Sequence, residues 1–182
     1  SNHKRSFQQN ADEFETLFLS SVEEQMVADV PLGAFLSGGL DSSAVVSAMQ
    51  EISPRRVETY SIGFSEDDYN ESHAARSVAQ HIGTQHQEFI FTAKNALEII
   101  PELNKIYSEP FSDSSQIPTF FLCQETRRNV TVALSGDGGD ELFGGYNRYV
   151  DCKNIHNKIK YFPKTLKFFL SSLISVTPDK LF

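Results

Sequence analysis

The sequence predicts an α/β fold in which a parallel β-sheet carries helices on both of its faces. Short apolar segments of strand composition alternate with helical segments from residue 32 to about residue 150. This alternation is typical of parallel strands that are joined by crossover helices. Two of the strands lead directly into the glycine-rich loops "SGGLDSS" and "SGDGGDE", and ligands bind at the ends of strands in such sheets.

The amino-terminal half of the chain contains the first three predicted strands. Apolar residues at helical spacing predict a helix over 11–28 that ends before Pro31. After the first glycine loop, Ser42 or Ser43 is the predicted cap of a second helix, which ends near Pro54. The strands are predicted at 32–36, 57–64 and 86–91, and a helix at 70–83 is expected to start at Asn70 or Ser72 and stop at Gly83.

The second half contains one more strand. Thr92 is the predicted cap of a helix that bends at Pro101, and 108–118 is rich in helix-capping and helix-breaking residues. A helix at 119–129 and a buried strand at 130–134 follow, and then a short helix interrupted at Gly144 and Gly145. The predicted domains are a helical segment at 1–30, an α/β core at 31–150 and a helical carboxyl-terminal extension at 151–182.

Composition excludes several classes of function. The 182 residues carry a net charge of −8, which argues against an extended surface for nucleic acid or anionic membranes. No run approaches the roughly 18 apolar residues of a membrane span. The isolated Cys123 and Cys152 fit a reducing compartment. We therefore expect a cytoplasmic protein without a nucleic-acid or membrane partner.

The two glycine loops carry the chemistry. Gly38 and Gly39 allow the main chain to approach a ligand closely, and the following helix start favours an anion such as a polyphosphate. Asp41 would repel phosphate unless Mg²⁺ lay between them, and the spacing differs from that of a Walker A loop. Asp137 and Asp140 repeat this pattern in the second loop, so both loops could bind one magnesium nucleotide. Taken singly, each loop could also be a tight strand-to-helix turn.

Four segments carry a resemblance to a known family. "SGGLDSS" resembles the pyrophosphate-binding loop (PP-loop) of the N-type ATP pyrophosphatases. The four segments "VPLGAFLSGGLDSS", "TYSIGF", "EPFSDSSQIP" and "ALSGDGGDELFGGY", in this order, resemble the synthetase domain of glutamine-hydrolysing asparagine synthetases and related amidotransferases. The resemblance covers roughly 14–150 and implies an adenine nucleotide alpha hydrolase-like fold.

The resemblance also implies a reaction. In this family, a substrate carboxylate attacks the α-phosphorus of ATP to give an acyl-adenylate and pyrophosphate, and ammonia then displaces AMP to form an amide. Aspartate is the expected substrate, and the expected cofactors are ATP and Mg²⁺. The ammonia would come from a glutaminase domain that this chain lacks, and the chain is expected to be a truncated fragment. The sequence does not define the oligomeric state, and a homodimer is kept as an open expectation.

The matching motifs assign individual residues to this chemistry. The resemblance implies that Asp41 and Asp140 bind Mg²⁺, and that Asp137, which stands where many relatives have Glu, acts with them in catalysis. Leu36 and Ile62 would flank the adenine or ribose, although buried strand positions need apolar residues in any case. The residues expected to hold the pyrophosphate are Ser37, Gly38, Gly39, Asp41, Ser42 and Ser43, and those expected to contact the nucleoside are Ser135 and Gly136.

Three alternatives remain open at this point. Another carboxylate, such as a uronic acid sugar, could replace aspartate. A PP-loop enzyme acting on tRNA is a second alternative, against which the acidic charge and the lone cysteines argue. A nucleotide-binding module without chemistry is a third, although Asp41 and Asp140 are present.

The loop at 109–115 could face the substrate or could simply end one helix and cap the next.

Overall fold

A computed structural model describes residues 5–65 and 72–166 together with 168, 171 and 172. The strands are β1 (Leu32–Phe35), β2 (Glu58–Phe64), β3 (Gln85–Phe91) and β4 (Val132–Leu134). The helices are α1 (Phe7–Gln25), α2 (Leu40–Ile52), α3 (Ser72–Ile82), α4 (Ala93–Ile99), α5 (Leu103–Ile106), α6 (Gln116–Thr126), α7 (Gly139–Phe143) and α8 (Asn147–Ile159). The strands form one parallel sheet in the order β3-β2-β1-β4, which confirms the predicted class.

The strand order creates a switch point between β1 and β4. The chain runs from β1 to β2 and β3 on one side, and β4 then pairs with the other side of β1. Ala34 pairs with Leu134, so the two strands end almost level and their following loops leave the sheet side by side. A crevice at such a switch point is the usual ligand position in open parallel sheets.

Helices cover both faces of the sheet, as predicted. One core cluster joins Ala34 and Leu36 to Met49 of α2 and Ala75 of α3. A second cluster joins Phe91 of β3 to Ile99 of α4 and Phe121 of α6. Because side chains alternate between faces along a strand, these two clusters lie on opposite sides of the sheet.

Several predicted helix starts were wrong. Ser42 and Ser43 do not cap α2; they lie in its first turn, and Gly39 is the N-cap. The Ser43 hydroxyl instead donates to the Gly39 carbonyl over 2.6 Å. In α1, a capping box of Ser6 and Gln9 starts the helix four residues before the predicted position. The predicted cap Asn70 lies outside the described residues.

The second half of the core follows the prediction more closely. Thr92 caps α4 through a capping box with Asn95, and the break at Pro101 takes the form of a 3₁₀ turn, Ile100–Glu102, before α5. Helix α6 begins at Gln116, three residues before the expected start, so the preceding loop is shorter than predicted.

The chain divides into two compact units, Ser1–Asp137 and Gly138–Phe182. The first contains the whole sheet and both core clusters. The second contains α7 and α8, and every residue of α8 is exposed. Most of the predicted helical tail beyond residue 166 lies outside the described residues. Among the described helices, none has the length and apolar character needed to cross a bilayer.

Candidate functional site

The first glycine loop turns sharply at Gly38. This residue has a φ of +85°, a conformation that residues with a Cβ rarely adopt. A Cβ at this position would lie 2.6 Å from the Ala75 nitrogen and 2.7 Å from the Ala74 carbonyl carbon. Both the backbone angle and the contact with α3 therefore require glycine.

Hydroxyl groups fix the remainder of this loop. The Ser37 and Ser42 hydroxyls lie 2.9 Å apart, and the Gly39 amide donates to the Ser37 hydroxyl over 3.2 Å. The Ser42 hydroxyl also accepts from the Ser37 amide at 3.3 Å. The first N–H groups of a helix have no acceptor within that helix, so this loop presents those of α2 at the carboxyl edge of the sheet.

The second glycine loop meets the first at Gly136. A Cβ on Gly136 would lie 2.6 Å from the Ser42 nitrogen and 2.9 Å from the Asp41 carbonyl carbon. Beside it, the Ser135 hydroxyl donates to the Asp137 carboxylate over 3.1 Å and accepts from the Asp137 amide at 3.4 Å. The structure thus brings together eight of the predicted residues: Ser37, Gly38, Gly39, Asp41, Ser42, Ser43, Ser135 and Gly136.

Leu36 and Ile62 are placed differently. The Leu36 side chain is almost fully buried in the first core cluster. Ile62 packs against the second cluster, on the opposite face. Since the two side chains are separated by the sheet, they cannot sandwich one base, and only main-chain groups at these positions can act on the same ligand.

The second unit contains Asp140, the second residue that the sequence predicts as a magnesium ligand. Helix α7 lies between Gly138 and Gly144, both with positive φ, and contains Asp140 and Glu141 in its first turn. Glu141 accepts a hydrogen bond from the Tyr146 hydroxyl over 2.6 Å, which lowers the pKa of Glu141. Asp140 and Asp41 therefore belong to different units.

The described residues suit a metal ion that is bound mainly through the phosphates of a nucleotide. In the described part of the chain, no three His, Cys, Asp or Glu side chains group to hold a metal ion. Magnesium bound with a nucleotide commonly uses one or two carboxylates, phosphate oxygens and water. Asp41 is half-exposed in the first turn of α2 and offers one carboxylate to such an ion, whereas the adjacent helix N–H groups suit the phosphate oxygens and not the metal.

Comparison with known proteins identifies the family. The asparagine synthase family model matches residues 13–179. The chain belongs to the asparagine synthase family. It is 42% identical over 163 residues to a putative glutamine-hydrolysing asparagine synthetase 2 of Methanocaldococcus jannaschii, covering 89% of this chain and 31% of that relative.

A second relative gives the same result. The chain is 36% identical to glutamine-hydrolysing asparagine synthetase 1 of Bacillus subtilis, covering 87% of this chain and 25% of the relative. The chain therefore spans about a quarter to a third of the length of these curated relatives. Among solved structures, an NH3-dependent NAD synthetase from Campylobacter jejuni matches with a TM-score of 0.46 and 13% identity, covering 79% of this chain and 62% of that one.

In this asparagine synthase family member, the loop before α6 is internally bonded. The Ser115 amide donates to the Asp113 carboxylate over 2.8 Å, which lowers the pKa of Asp113. The Gln116 side chain donates to the Phe111 and Asp113 carbonyls. Ser115 makes no side-chain capping bond to α6. The expectation that this loop caps the next helix was therefore wrong for Ser115, and a substrate-facing role for the exposed residues 109–115 stays a prediction.

Sequence reasoning missed how α3 participates in the site. Ala74 and Ala75 in its first turn contact Gly38 through main-chain atoms. Arg76, one residue further along the helix, pairs with Glu88 of β3 at 2.6 Å. No motif marks this contact, because it joins a helix and a strand whose pairing only the fold defines. The glycine at position 38 is the one local signal that some element approaches the loop.

Proposed function

We propose that this chain is the ATP-binding part of an asparagine-forming ligase that activates the aspartate side-chain carboxylate with ATP. The observation that supports this most is the close approach of Gly136 to the first turn of α2. It brings the two glycine loops together at the switch point, where a nucleotide would bind. Family membership supplies the reaction class.

The loop residues would bind the pyrophosphate part of ATP. The α2 start offers main-chain N–H groups and the positive end of a helix dipole to phosphate oxygens. Ser37 would add a hydroxyl donor, as would Ser43 once its hydroxyl turned away from the Gly39 carbonyl, and the Ser37–Ser42 contact would hold the loop in place before ATP arrives. Ser135 and Gly136 would contact the nucleoside, with main-chain groups near Leu36 and Ile62 on the adenine or ribose.

Magnesium fits this proposal through Asp41 and Asp140. When bound, Mg²⁺ would neutralise phosphate charge and thereby favour attack of the carboxylate on the α-phosphorus and departure of pyrophosphate. Asp41 would hold it from the α2 turn, and Asp140 from α7. Both are half-exposed, so their carboxylates can reach a ligand without an uncompensated buried charge.

Asp137 is proposed to act near the reacting carboxylate or ammonia. Its carboxylate accepts a hydrogen bond from the Ser135 hydroxyl, and its side chain is exposed. A carboxylate oriented in this way can accept a proton as ammonia attacks the adenylate. The resulting amide and AMP would then leave the site.

Four further points about the chain and its surroundings belong to the proposal. The α/β core at 31–150 would carry the nucleotide site, with the helical segments at 1–30 and 151–182 flanking it. Ammonia would come from a glutaminase region of the longer protein, as the names of the relatives suggest. The protein would act in the cytoplasm, and a homodimer remains compatible with the proposal.

The first test is binding of ATP to the chain, measured by calorimetry with and without Mg²⁺. We expect Asp41→Asn to weaken binding of Mg-ATP by at least about tenfold, since even groups that only orient metal ligands contribute 10–100-fold. ATP without Mg²⁺ should bind weakly to both proteins. Asp12→Asn in α1 is the control, because Asp12 is an exposed acid whose side chain accepts a hydrogen bond from Gln8, four residues earlier in the same helix.

Unchanged Mg-ATP affinity in Asp41→Asn would contradict the metal assignment. The substrate is tested with the full-length protein that contains this chain. The measurement is the aspartate-dependent exchange of labelled pyrophosphate into ATP. Exchange with aspartate supports the proposed adenylation. Exchange only with a uronic acid, or binding of ATP without any exchange, would replace aspartate activation by the corresponding alternative.

A further inference from the structure

An ion pair fastens α3 to the sheet beside the candidate site. The Arg76 guanidinium of α3 donates to the Glu88 carboxylate of β3 over 2.6 Å. The Glu88 side chain is only 14% exposed. Burial raises the pKa of Glu88, but the Arg76 guanidinium and the nearby Ser72 hydroxyl outweigh it and hold that pKa below its ordinary value. We name Ser72, Arg76 and Glu88 the α3 clamp.

The α3 clamp and the first glycine loop contact the same helical turn. Ser72 is the first residue of α3 and is 1% exposed. In the same first turn, main-chain atoms of Ala74 and Ala75 lie within 2.7 Å of where a Gly38 Cβ would be. Arg76 follows immediately, so the ion pair acts within one residue of the segment that touches the loop.

Steric contact makes the loop sensitive to where α3 lies. Gly38 turns with a positive φ against the α3 main chain, and the one side-chain atom among its nearest neighbours is the Ala74 Cβ, which cannot rotate away to absorb a shift. Close-packed contacts of this kind transmit small displacements. A movement of the α3 start would therefore change the direction in which the loop and the α2 start present their N–H groups.

We infer that Arg76 and Glu88 are positioning residues for the nucleotide site, acting through the α3 start on Gly38. This inference rests on the proposed function for its nucleotide, although the coupling between α3 and the loop is independent of it. The α3 clamp touches neither ATP nor the reacting carboxylate in this scheme. Its effect is to keep the phosphate-binding loop in one arrangement before ATP binds.

The chain offers a closely matched control. In α6, on the other face of the sheet, Glu125 pairs with Arg128 over 2.5 Å and is 15% exposed. Glu88 and Glu125 thus have the same partner type, nearly the same exposure and nearly the same distance. They differ in what each pair joins, because Arg76–Glu88 links α3 to β3, whereas Glu125 and Arg128 lie three residues apart at the end of α6, which packs on the second core cluster. Glu88→Gln and Glu125→Gln therefore separate a positioning effect from the general effect of losing a half-buried ion pair.

Two measurements on the chain test the inference. Hydrogen exchange of the amides at 37–43, without nucleotide, should be faster in Glu88→Gln than in either the original protein or Glu125→Gln. Calorimetry should show that Glu88→Gln weakens Mg-ATP binding about tenfold, equivalent to about 1.4 kcal/mol, while Glu125→Gln leaves it unchanged. In the full-length enzyme, the KM for ATP should rise with little change in kcat.

Conservative replacement adds a third readout. Arg76→Lys keeps the positive charge but loses the planar fork that matches a carboxylate. Because the charge is kept, Arg76→Lys should retain most of the affinity that Arg76→Gln loses. Because the Arg76 side chain is 49% exposed, its replacement should disturb folding less than that of Glu88. The two Arg76 variants therefore test the inference if Glu88→Gln does not fold.

The outcomes distinguish this inference from the proposed function. If the original chain binds no Mg-ATP, the proposed function fails, and hydrogen exchange alone decides whether the α3 clamp holds the loop. If Mg-ATP binds and the Glu88 and Glu125 variants behave alike in both measurements, the positioning role is overturned. Equal exchange at 37–43 in all folded variants would also overturn it, whatever their affinities.

Discussion

Gly38 and Gly136 lie at positions where a Cβ would meet main-chain atoms of another element. Gly38 faces α3, and Gly136 faces the first turn of α2. Main-chain atoms cannot rotate away as a flexible side chain can, so a larger residue must displace a whole helix start. Each glycine therefore permits close packing between elements, and Gly38 also turns the chain through its positive φ.

The first prediction concerns the single-residue variant Gly38→Ala, with Gly83→Ala as its control. Both glycines have similar positive φ values, +85° and +87°, but a Cβ at Gly83 would meet nothing within 4 Å. Gly83→Ala should lower the free energy of unfolding by the conformational cost alone, about 1–2 kcal/mol. Gly38→Ala should lower it by about 1–3 kcal/mol more, because overpacking is added. Urea denaturation followed by circular dichroism measures both.

The difference between these two variants is the informative quantity. If Gly38→Ala and Gly83→Ala destabilise equally, the α3 contact is not tight in solution and the positioning argument loses its basis. If Gly38→Ala also abolishes Mg-ATP binding while Gly83→Ala does not, the contact matters for the site as well as for stability.

At the scale of elements, the sequence predicted the sheet well because its strands are short apolar runs between clear breakers. Each strand was found within two residues of its expected position, and the Thr92 cap and the break at Pro101 were also found. Helix starts were harder to predict. Ser42 and Ser43 are good capping residues, yet their hydroxyls bond to Gly39 and Ser37 within the loop, a choice that the local sequence does not reveal.

Contacts between distant elements could not be predicted for a related reason. The approach of Gly136 to Ser42 depends on β4 pairing with β1, and the pairing of Arg76 with Glu88 depends on how α3 lies on β3. The motifs indicated that the two loops share an edge of the sheet. They did not contain the information that α3 supports one of these loops.

The second prediction concerns β2 and β3, which hold His86 between two hydroxyl groups. Its Nδ1 lies 3.0 Å from the Thr59 hydroxyl and its Nε2 3.1 Å from the Ser61 hydroxyl. Burial lowers the pKa of His86 below the ordinary 6.5, with Glu88 opposing and Arg76 reinforcing the shift. The unfolded chain therefore binds the proton more tightly than the folded one.

The sign of the pH dependence follows from this difference. The His86 contribution to stability is fully present above about pH 6.5 and is lost as the pH falls from there through the lower pKa of the folded state. His86→Gln should reduce this loss between pH 7 and pH 5, measured as the free energy of unfolding by urea titration at each pH. His81→Gln, at an exposed position late in α3, is the control and should leave the slope unchanged. An identical slope in all three proteins would show that His86 does not titrate differently on folding.

Across the whole molecule, charge is divided unevenly between the two units. Residues 1–137 contain 20 acidic and 9 basic residues, whereas 138–182 contain 4 acidic and 7 basic residues. An acidic first unit does not attract a polyphosphate over long distances. Binding of ATP in the proposed site must therefore depend on the local N–H groups of the α2 start and on Mg²⁺, which agrees with the strong dependence on Mg²⁺ that we expect for binding.

The division into two units leads to the last prediction, which compares two truncated chains. One ends at Asp137 and the other at Tyr146. Both core clusters and all four described strands lie before residue 138. The chain ending at Asp137 should therefore still unfold in one cooperative transition, observed by circular dichroism during urea titration. It lacks Asp140, so its Mg-dependent ATP binding should be lost, whereas the chain ending at Tyr146 keeps α7 and should bind. Loss of cooperativity in the shorter chain would show that the second unit is needed for folding. Equal Mg-ATP affinity in both shortened chains would remove Asp140 from the metal site and leave Asp41 as the protein carboxylate on which the proposed Mg²⁺ binding depends.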